Sequence, residues 1–177
     1  MERKVAIITG AAKGIGKAIA TRMINDGYAV AAVDVDEEEG ISLAEELGEN
    51  CHFYKCDISN EHEVSNLFEN IGKELGGVYA VVNNAGIIRD KMIWKMPADD
   101  FDKVIDINLK GTWLMCREAS KIMRGSKMGR IVNIASRAWL GNPGQSNYSA
   151  SKAGVVGLTR VLALELGRSG VLANAIA

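Results

Sequence analysis

Tyr148 and Lys152 lie four residues apart in the stretch GQSNYSASKAG, residues 144–154, among small side chains. On a helix that spacing is one turn, so phenol and ammonium point to the same side. The chemistry open to such a pair is proton transfer. A phenol ordinarily titrates near pH 10, too high for a base that works near neutrality. Lowering that value by about three units requires roughly 4 kcal/mol of preferential stabilisation of the phenolate. An ammonium one turn away supplies much of it. Two residues that merely share a helix face would show the same spacing. The pair acquires meaning only from what the rest of the chain builds around it.

Those surroundings read as strands alternating with helices. Val5–Thr9 is a short apolar run followed by glycines, and IGKAIATRMI then carries apolar residues at helical spacing until Asn25-Asp26-Gly27 stops it. YAVAAVDV reads as a second buried strand, and the acidic helix DEEEGISLAEEL ends at Gly48. A third strand, HFYKCDI, leads to Ser59 and Asn60, candidate caps for the helix EHEVSNLFENIGKEL. VYAVVNNAG is a fourth strand running into polar residues and glycine. A helical segment from about 98 to 124 precedes a fifth strand, RIVNIAS. A helix from about 148 to 166 precedes a sixth, VLANAIA. Strands separated by helices need crossover connections, which make a parallel sheet with helices on both faces. The expected fold is a single α/β domain over 1–177, a doubly wound, Rossmann-like parallel sheet.

Composition narrows the function classes. Of 177 residues, 47% are hydrophobic and 24% charged, and the formal net charge is −1. That balance gives no electrostatic case for nucleic acid or an anionic membrane as partner. Cys51, Cys56 and Cys116 lack metal-ligand spacing, so no metal site is expected, and they read as reduced core thiols. The opening MERKVAIITG passes straight from charges into a strand, too short a run for a signal peptide or a membrane span. A cytoplasmic protein is the expectation.

In doubly wound sheets, ligands bind beyond the carboxyl ends of the strands. After strand one comes TGAAKGIG, with Gly10, Gly14 and Gly16 around Lys13 and Ile15. Such a turn lets a phosphate approach backbone N–H groups at a helix N-terminus. Strand two ends at Asp34, 18 residues beyond Gly16, where a carboxylate accepts hydrogen bonds from adenosine ribose hydroxyls and repels a 2′-phosphate. NAD is therefore the expected cofactor. Lys13 points the other way, toward NADP, as a cation able to meet a 2′-phosphate. Strand three runs to Asp57 and Ile58, placed for an adenine edge and face. Strand four ends in Asn84, Ala85 and Gly86, which can line a cofactor or simply stitch strand to strand. Strand five ends at Ser136.

Taken in order, TGAAKGIG, NNAG, Asn108 in INLKGTW, Ser136 in IVNIAS and YSASK resemble the short-chain dehydrogenase/reductase family over the whole chain. NNAGIIRDKMIWKM and GNPGQSNYSASKAGVVGLTR are similar to its 3-oxoacyl-(acyl-carrier-protein) reductase branch, though sugar-alcohol and secondary-alcohol dehydrogenases share those phrases. The resemblance implies reversible hydride transfer between a nicotinamide and a ketone or secondary alcohol, acyl thioesters included. It implies Tyr148 as proton donor and Lys152 as its tuning cation and a ligand of the nicotinamide ribose. It implies Ser136 as donor to the substrate oxygen and Asn108 as anchor of a water chain leading to Lys152. A homo-oligomer, dimer or tetramer, is also implied. Trp94, Trp113 and Trp139 are expected in the core or an interface. Arg89 and Lys127 are cations that an acidic carrier protein would meet in a carrier-dependent reductase, or simply solvated surface charges.

Members of that family continue from NAIA into a Pro-Gly turn, a substrate lid and a seventh strand, whereas this sequence stops at Ala177. The resemblance therefore carries the expectation that residues 1–177 alone self-associate through an open strand edge and turn over little substrate. The same comparison leads one to expect a longer natural product, or a partner covering that edge.

Overall fold

The computed structural model describes residues 3–177. Short runs such as VAIIT and AVAAVD have no polar face to turn toward water, so they can only be strands covered on both sides. They form six parallel strands, β1 (Val5–Thr9), β2 (Ala29–Asp34), β3 (Cys51–Lys55), β4 (Ala80–Asn83), β5 (Gly129–Ile134) and β6 (Val171–Ile176), in the order β3-β2-β1-β4-β5-β6. The helices are α1 (Gly14–Asn25), α2 (Glu37–Leu47), α3 (Glu61–Leu75), α4 (Ala98–Ile105), α5 (Thr112–Ser126) and α6 (Ser146–Leu166). Alternate strand residues serve opposite layers. Ile7, Val33, Val81 and Ile131 pack with Leu67 and Phe68 of α3, Met115 of α5 and Leu162 of α6. Ile8, Val30, Ala32 and Val82 pack with Ala20 of α1 and Leu43 of α2. This is the doubly wound Rossmann-like sheet expected. The strand order reverses between β1 and β4, the place where such sheets bind ligands.

Three boundaries differ from the sequence reading. β3 ends at Lys55, not at Ile58, because the chain turns at Asp57. There the Asp57 N–H donates to the Glu63 carboxylate (2.8 Å) and Asp57 Oδ1 accepts from the Ser59 N–H (2.9 Å). Asn60, as expected, caps α3 by accepting from the N–H groups of His62 and Glu63. The helical segment after 98 is continuous in direction but contains a π-helical turn, Asp106–Gly111, between α4 and α5. α6 begins at Ser146, two residues before the expected start. The three cysteines are buried free thiols. The three tryptophans are not core residues: Trp94, Trp113 and Trp139 are all exposed.

β1 and β4 are locked together just where the site begins. Thr9, fully buried, accepts at Oγ1 from the N–H groups of both Asn84 and Ala85, each at 3.0 Å. Thr9→Val keeps the shape and removes the acceptor, leaving two donors unpaired. It should lower unfolding free energy by about 2 kcal/mol or more, while Thr9→Ser stays within about 1 kcal/mol of the unmutated protein. Urea midpoints check this; equal midpoints for Thr9→Val and the unmutated chain would refute it.

Candidate active site

The turn after β1 is built from glycines that nothing larger could replace. Gly10 has φ +63°, and a Cβ there would sit 2.9 Å from Ala85 Cα; a Cβ on Gly16 would sit 1.9 Å from the Gly10 carbonyl oxygen. The start of α1 is thereby pressed onto its own loop and the end of β4. Gly14, at φ +57°, faces open space, and Lys13 at the N-cap makes no side-chain capping bond. First-turn N–H groups of α1 are left for an external acceptor, the arrangement that suits a phosphate. Ile15 is exposed beside them. The residues thus fit the phosphates of a dinucleotide.

Asp34 ends β2 half-buried, and its carboxylate braces the glycine turn: Oδ2 accepts from the Ala12 N–H (3.0 Å) and Oδ1 from the Asp36 N–H (3.1 Å). A carboxylate offers about four acceptor positions, so capacity remains for hydroxyl donors. Asp57 is exposed in the turn after β3, with Oδ1 shared by the N–H and hydroxyl of Ser59. Ile58 is a core side chain, 5% exposed. Its side chain is packed inward rather than presented at the sheet edge as the face expected from the sequence. The Asn84 amide donates to the carbonyls of Thr9 (3.0 Å) and Gly10 (3.1 Å), so this side chain stitches β4 to β1. Ala85 and Gly86 follow with their backbone at the same sheet edge, Gly86 exposed.

The Tyr148–Lys152 pair sits at the opening of α6, against the end of β5. Lys152 is only 4% exposed. Its Nζ donates to the Ile134 carbonyl at 2.6 Å and lies 5.6 Å from the Tyr148 ring centre. Burial pulls the Lys152 ammonium down from its usual value to about 8. Two residues beyond Ile134, the Ser136 oxygen accepts from the Ala138 N–H (3.2 Å), which leaves its O–H to donate. Asn108, fully buried in the π-helical turn, holds Ile87 by both backbone groups: Oδ1 accepts from the N–H (2.8 Å) and Nδ2 donates to the carbonyl (3.0 Å). The same Nδ2 donates to Ser151 Oγ (3.3 Å), and Ser151 donates to the Tyr148 carbonyl (2.7 Å). π turns free backbone groups and recur at functional sites.

Two positioning residues escaped the sequence reading. Asn147, fully buried, accepts from the Tyr148 N–H and donates to the carbonyls of Arg89 (2.9 Å) and Asp100 (3.3 Å). Ser151 is fully buried as well. Their signal was present: both are polar residues next to, or one turn from, Tyr148 on a helix face that packs inward. The loop after β4 is pinned to the loop before α6 by Lys91 N–H to the Gly144 carbonyl (2.8 Å) and Gln145 to Asp90 (2.8 Å). Lys127 lies between α5 and β5, at the sheet edge opposite the site, unlike Arg89.

The buried ammonium has a stability signature. Its native value lies below the ordinary 10.5. The unfolded chain therefore binds the proton more tightly, and the associated destabilisation is full below pH 8 and gone above the unfolded value. Lys152→Met should gain stability relative to the unmutated protein most at pH 6–7, and that advantage should shrink as pH rises from 8 to 10.5. Urea unfolding of both proteins across this range tests it; a difference independent of pH would contradict the burial.

Residues 4–177 match the short chain dehydrogenase family. The chain is 42% identical over 180 residues to the (2S)-[(R)-hydroxy(phenyl)methyl]succinyl-CoA dehydrogenase subunit BbsD of Thauera aromatica, covering 100% of this chain and 73% of that protein. It is 43% identical over 175 residues to the 3-oxoacyl-[acyl-carrier-protein] reductase FabG of Rickettsia bellii, covering 98% of this chain and 71% of the relative. With the human 3-oxoacyl-[acyl-carrier-protein] reductase it shares 39% identity over 175 residues, 98% of this chain and 74% of the relative. A Rossmann-like sheet, a glycine turn fitted to a dinucleotide and a Tyr–Lys pair at the same edge agree with these matches. The chain belongs to the short-chain dehydrogenase family, the nicotinamide-dependent oxidoreductases that act on CH–OH groups.

Proposed function

We propose that the chain is a 3-oxoacyl thioester reductase in which Tyr148 donates the proton to the nascent alkoxide. The observation that carries this reading is the Lys152 ammonium, buried beside the Tyr148 ring and held by the Ile134 carbonyl. A nicotinamide cofactor, when bound, supplies the hydride. The chain's own residues do the rest. Ser136, its oxygen already occupied as an acceptor, donates its O–H to the substrate oxygen and fixes it within reach of the Tyr148 hydroxyl. Lys152 favours the phenolate left behind and donates to the nicotinamide ribose. Asn108 sets the loop after β4 and, through Ser151, the first turn of α6; its π turn is the anchor for a water chain toward Lys152.

Gly10, Lys13, Gly14, Ile15 and Gly16 cradle the dinucleotide phosphates in this reading, and Asp57, Ile58, Asn84, Ala85 and Gly86 line its adenosine and nicotinamide sides. Asp34 takes the adenosine ribose, which favours NAD over NADP. Exposed apolar residues on the outer faces of α5 and α6, Trp113, Val161 and Leu164, favour a homo-oligomer. Buried free thiols fit a reducing, cytoplasmic setting, and no described helix is long and apolar enough to cross a membrane. A second reading, oxidation of a secondary alcohol on a coenzyme A thioester, is favoured by the relative named a hydroxy(phenyl)methylsuccinyl-CoA dehydrogenase subunit.

Acetoacetyl and 3-hydroxyacyl thioesters and polyols, assayed with NADH, NADPH and their oxidised forms, separate the two readings. Tyr148→Phe should lower kcat by about 10²-fold or more while the dissociation constant for NADH changes less than about twofold. Lys152→Ala should damage both. Near-normal kcat in Tyr148→Phe would remove the assignment.

A further inference from the structure

Lys13, in the glycine turn, is the cation that a 2′-phosphate would meet, and the structure shows what it meets instead. Its ammonium lies 3.6 Å from Asp36 Oδ2 with the lysine side chain 77% exposed. Asp36 is not free to wander from this post. It is the N-cap of α2, with Oδ1 accepting from the Glu39 N–H, and its own N–H donates to Asp34 Oδ1 (3.1 Å). Asp34 in turn holds the Ala12 N–H (3.0 Å). Two carboxylates from one turn therefore grip two successive residues of the glycine turn, one by its backbone and one by its side chain. Lys55, at the end of the neighbouring strand β3, is also occupied, pairing with Glu37 at 2.7 Å.

We propose that Asp36 is a specificity-determining residue which withholds Lys13 from the 2′-phosphate of NADP(H), so that cofactor choice rests on a pair of carboxylates rather than on Asp34 alone. The proposal rests on the dinucleotide-binding reading above and deepens it. A 2′-phosphate entering this corner would have to displace Asp36 from Lys13 and then remain beside a carboxylate that the α2 cap fixes in place. NAD(H), with a hydroxyl at that position, asks neither. The two acids have separate roles, Asp34 taking the ribose and Asp36 neutralising the one cation of the glycine turn.

Asp36→Asn tests this cleanly, because asparagine is as good an N-cap as aspartate and keeps the acceptor for Glu39 while removing the charge. Dissociation constants for NADH and NADPH are measured by nucleotide fluorescence or calorimetry, without any substrate. Asp36→Asn should tighten NADPH by about three- to fivefold, the upper range for an exposed ion pair, with NADH changed by less than about twofold. Adding Lys13→Met to Asp36→Asn should remove most of the NADPH gain, since the freed lysine is its main source and only relief of direct repulsion remains. Unchanged NADPH affinity in Asp36→Asn, equal tightening of both nucleotides, or a gain that survives Lys13→Met in full would each overturn the proposal while leaving the dinucleotide site intact. Failure of the unmutated protein to bind either nucleotide would overturn the dinucleotide-binding reading and the proposal with it.

Discussion

A lysine ammonium taken out of water with, among the described residues, only a backbone carbonyl at hydrogen-bonding distance is costly to build, and the C-terminal edge of this sheet is arranged around one. The Ile134 carbonyl that holds Lys152 belongs to the last residue of β5, so the position of the cation is set by the sheet itself. Its burial lowers its proton affinity to about 8. A cation so poorly solvated interacts more strongly with a neighbouring phenolate than an exposed lysine would, because less water screens it. In the proposed mechanism, stability is given up to place charge where a proton would move, as is common at functional sites.

The elements that meet at this point are fixed by side-chain amides and hydroxyls rather than by loop packing alone. Asn108 clamps the loop after β4, Ser151 carries that clamp to the Tyr148 carbonyl, and Asn147 ties the same turn of α6 to the loop near Arg89 and to α4. Below them, Asn83 donates to Asn133 (2.8 Å) and Asn133 to Thr159 (2.9 Å), joining β4, β5 and α6 inside the apolar layer. Each of these groups would be expensive to leave unpaired in the interior, so they enforce one register of α6 against the sheet. The glycine-turn side depends on the same device in another form, with Thr9 and Asp34 holding β4 and the glycine turn by their N–H groups.

Much of this was legible in the sequence because it follows from periodicity and backbone chemistry. Uninterrupted apolar runs gave buried strands, glycines in TGAAKGIG gave a tight strand-to-helix turn, and the four-residue spacing of Tyr148 and Lys152 gave a shared helix face. What was hidden depends on partners with no pattern of their own. The carbonyls of Ile134 and Ile87 look like any others until the fold delivers Lys152 and Asn108 to them. The π turn at 106–111 has no distinct hydrophobic period, and Ile58 reads as a strand end although the turn at Asp57 drives it into the core. Lys13 and Asp36 were visible as charges, but their pairing needed two loops to meet. Of the core or interface positions expected for the tryptophans, the core is excluded, because these three lie on outer surfaces and loops.

The central claim is that Lys152 is a buried cation of lowered proton affinity beside Tyr148. The most direct measurement is an NMR titration of lysine side chains, with the Lys152 signal assigned by its loss in Lys152→Arg. The structure predicts a midpoint of about 8 for that signal. A midpoint at the ordinary 10.5 would contradict the burial, and with it the account of how the site is tuned.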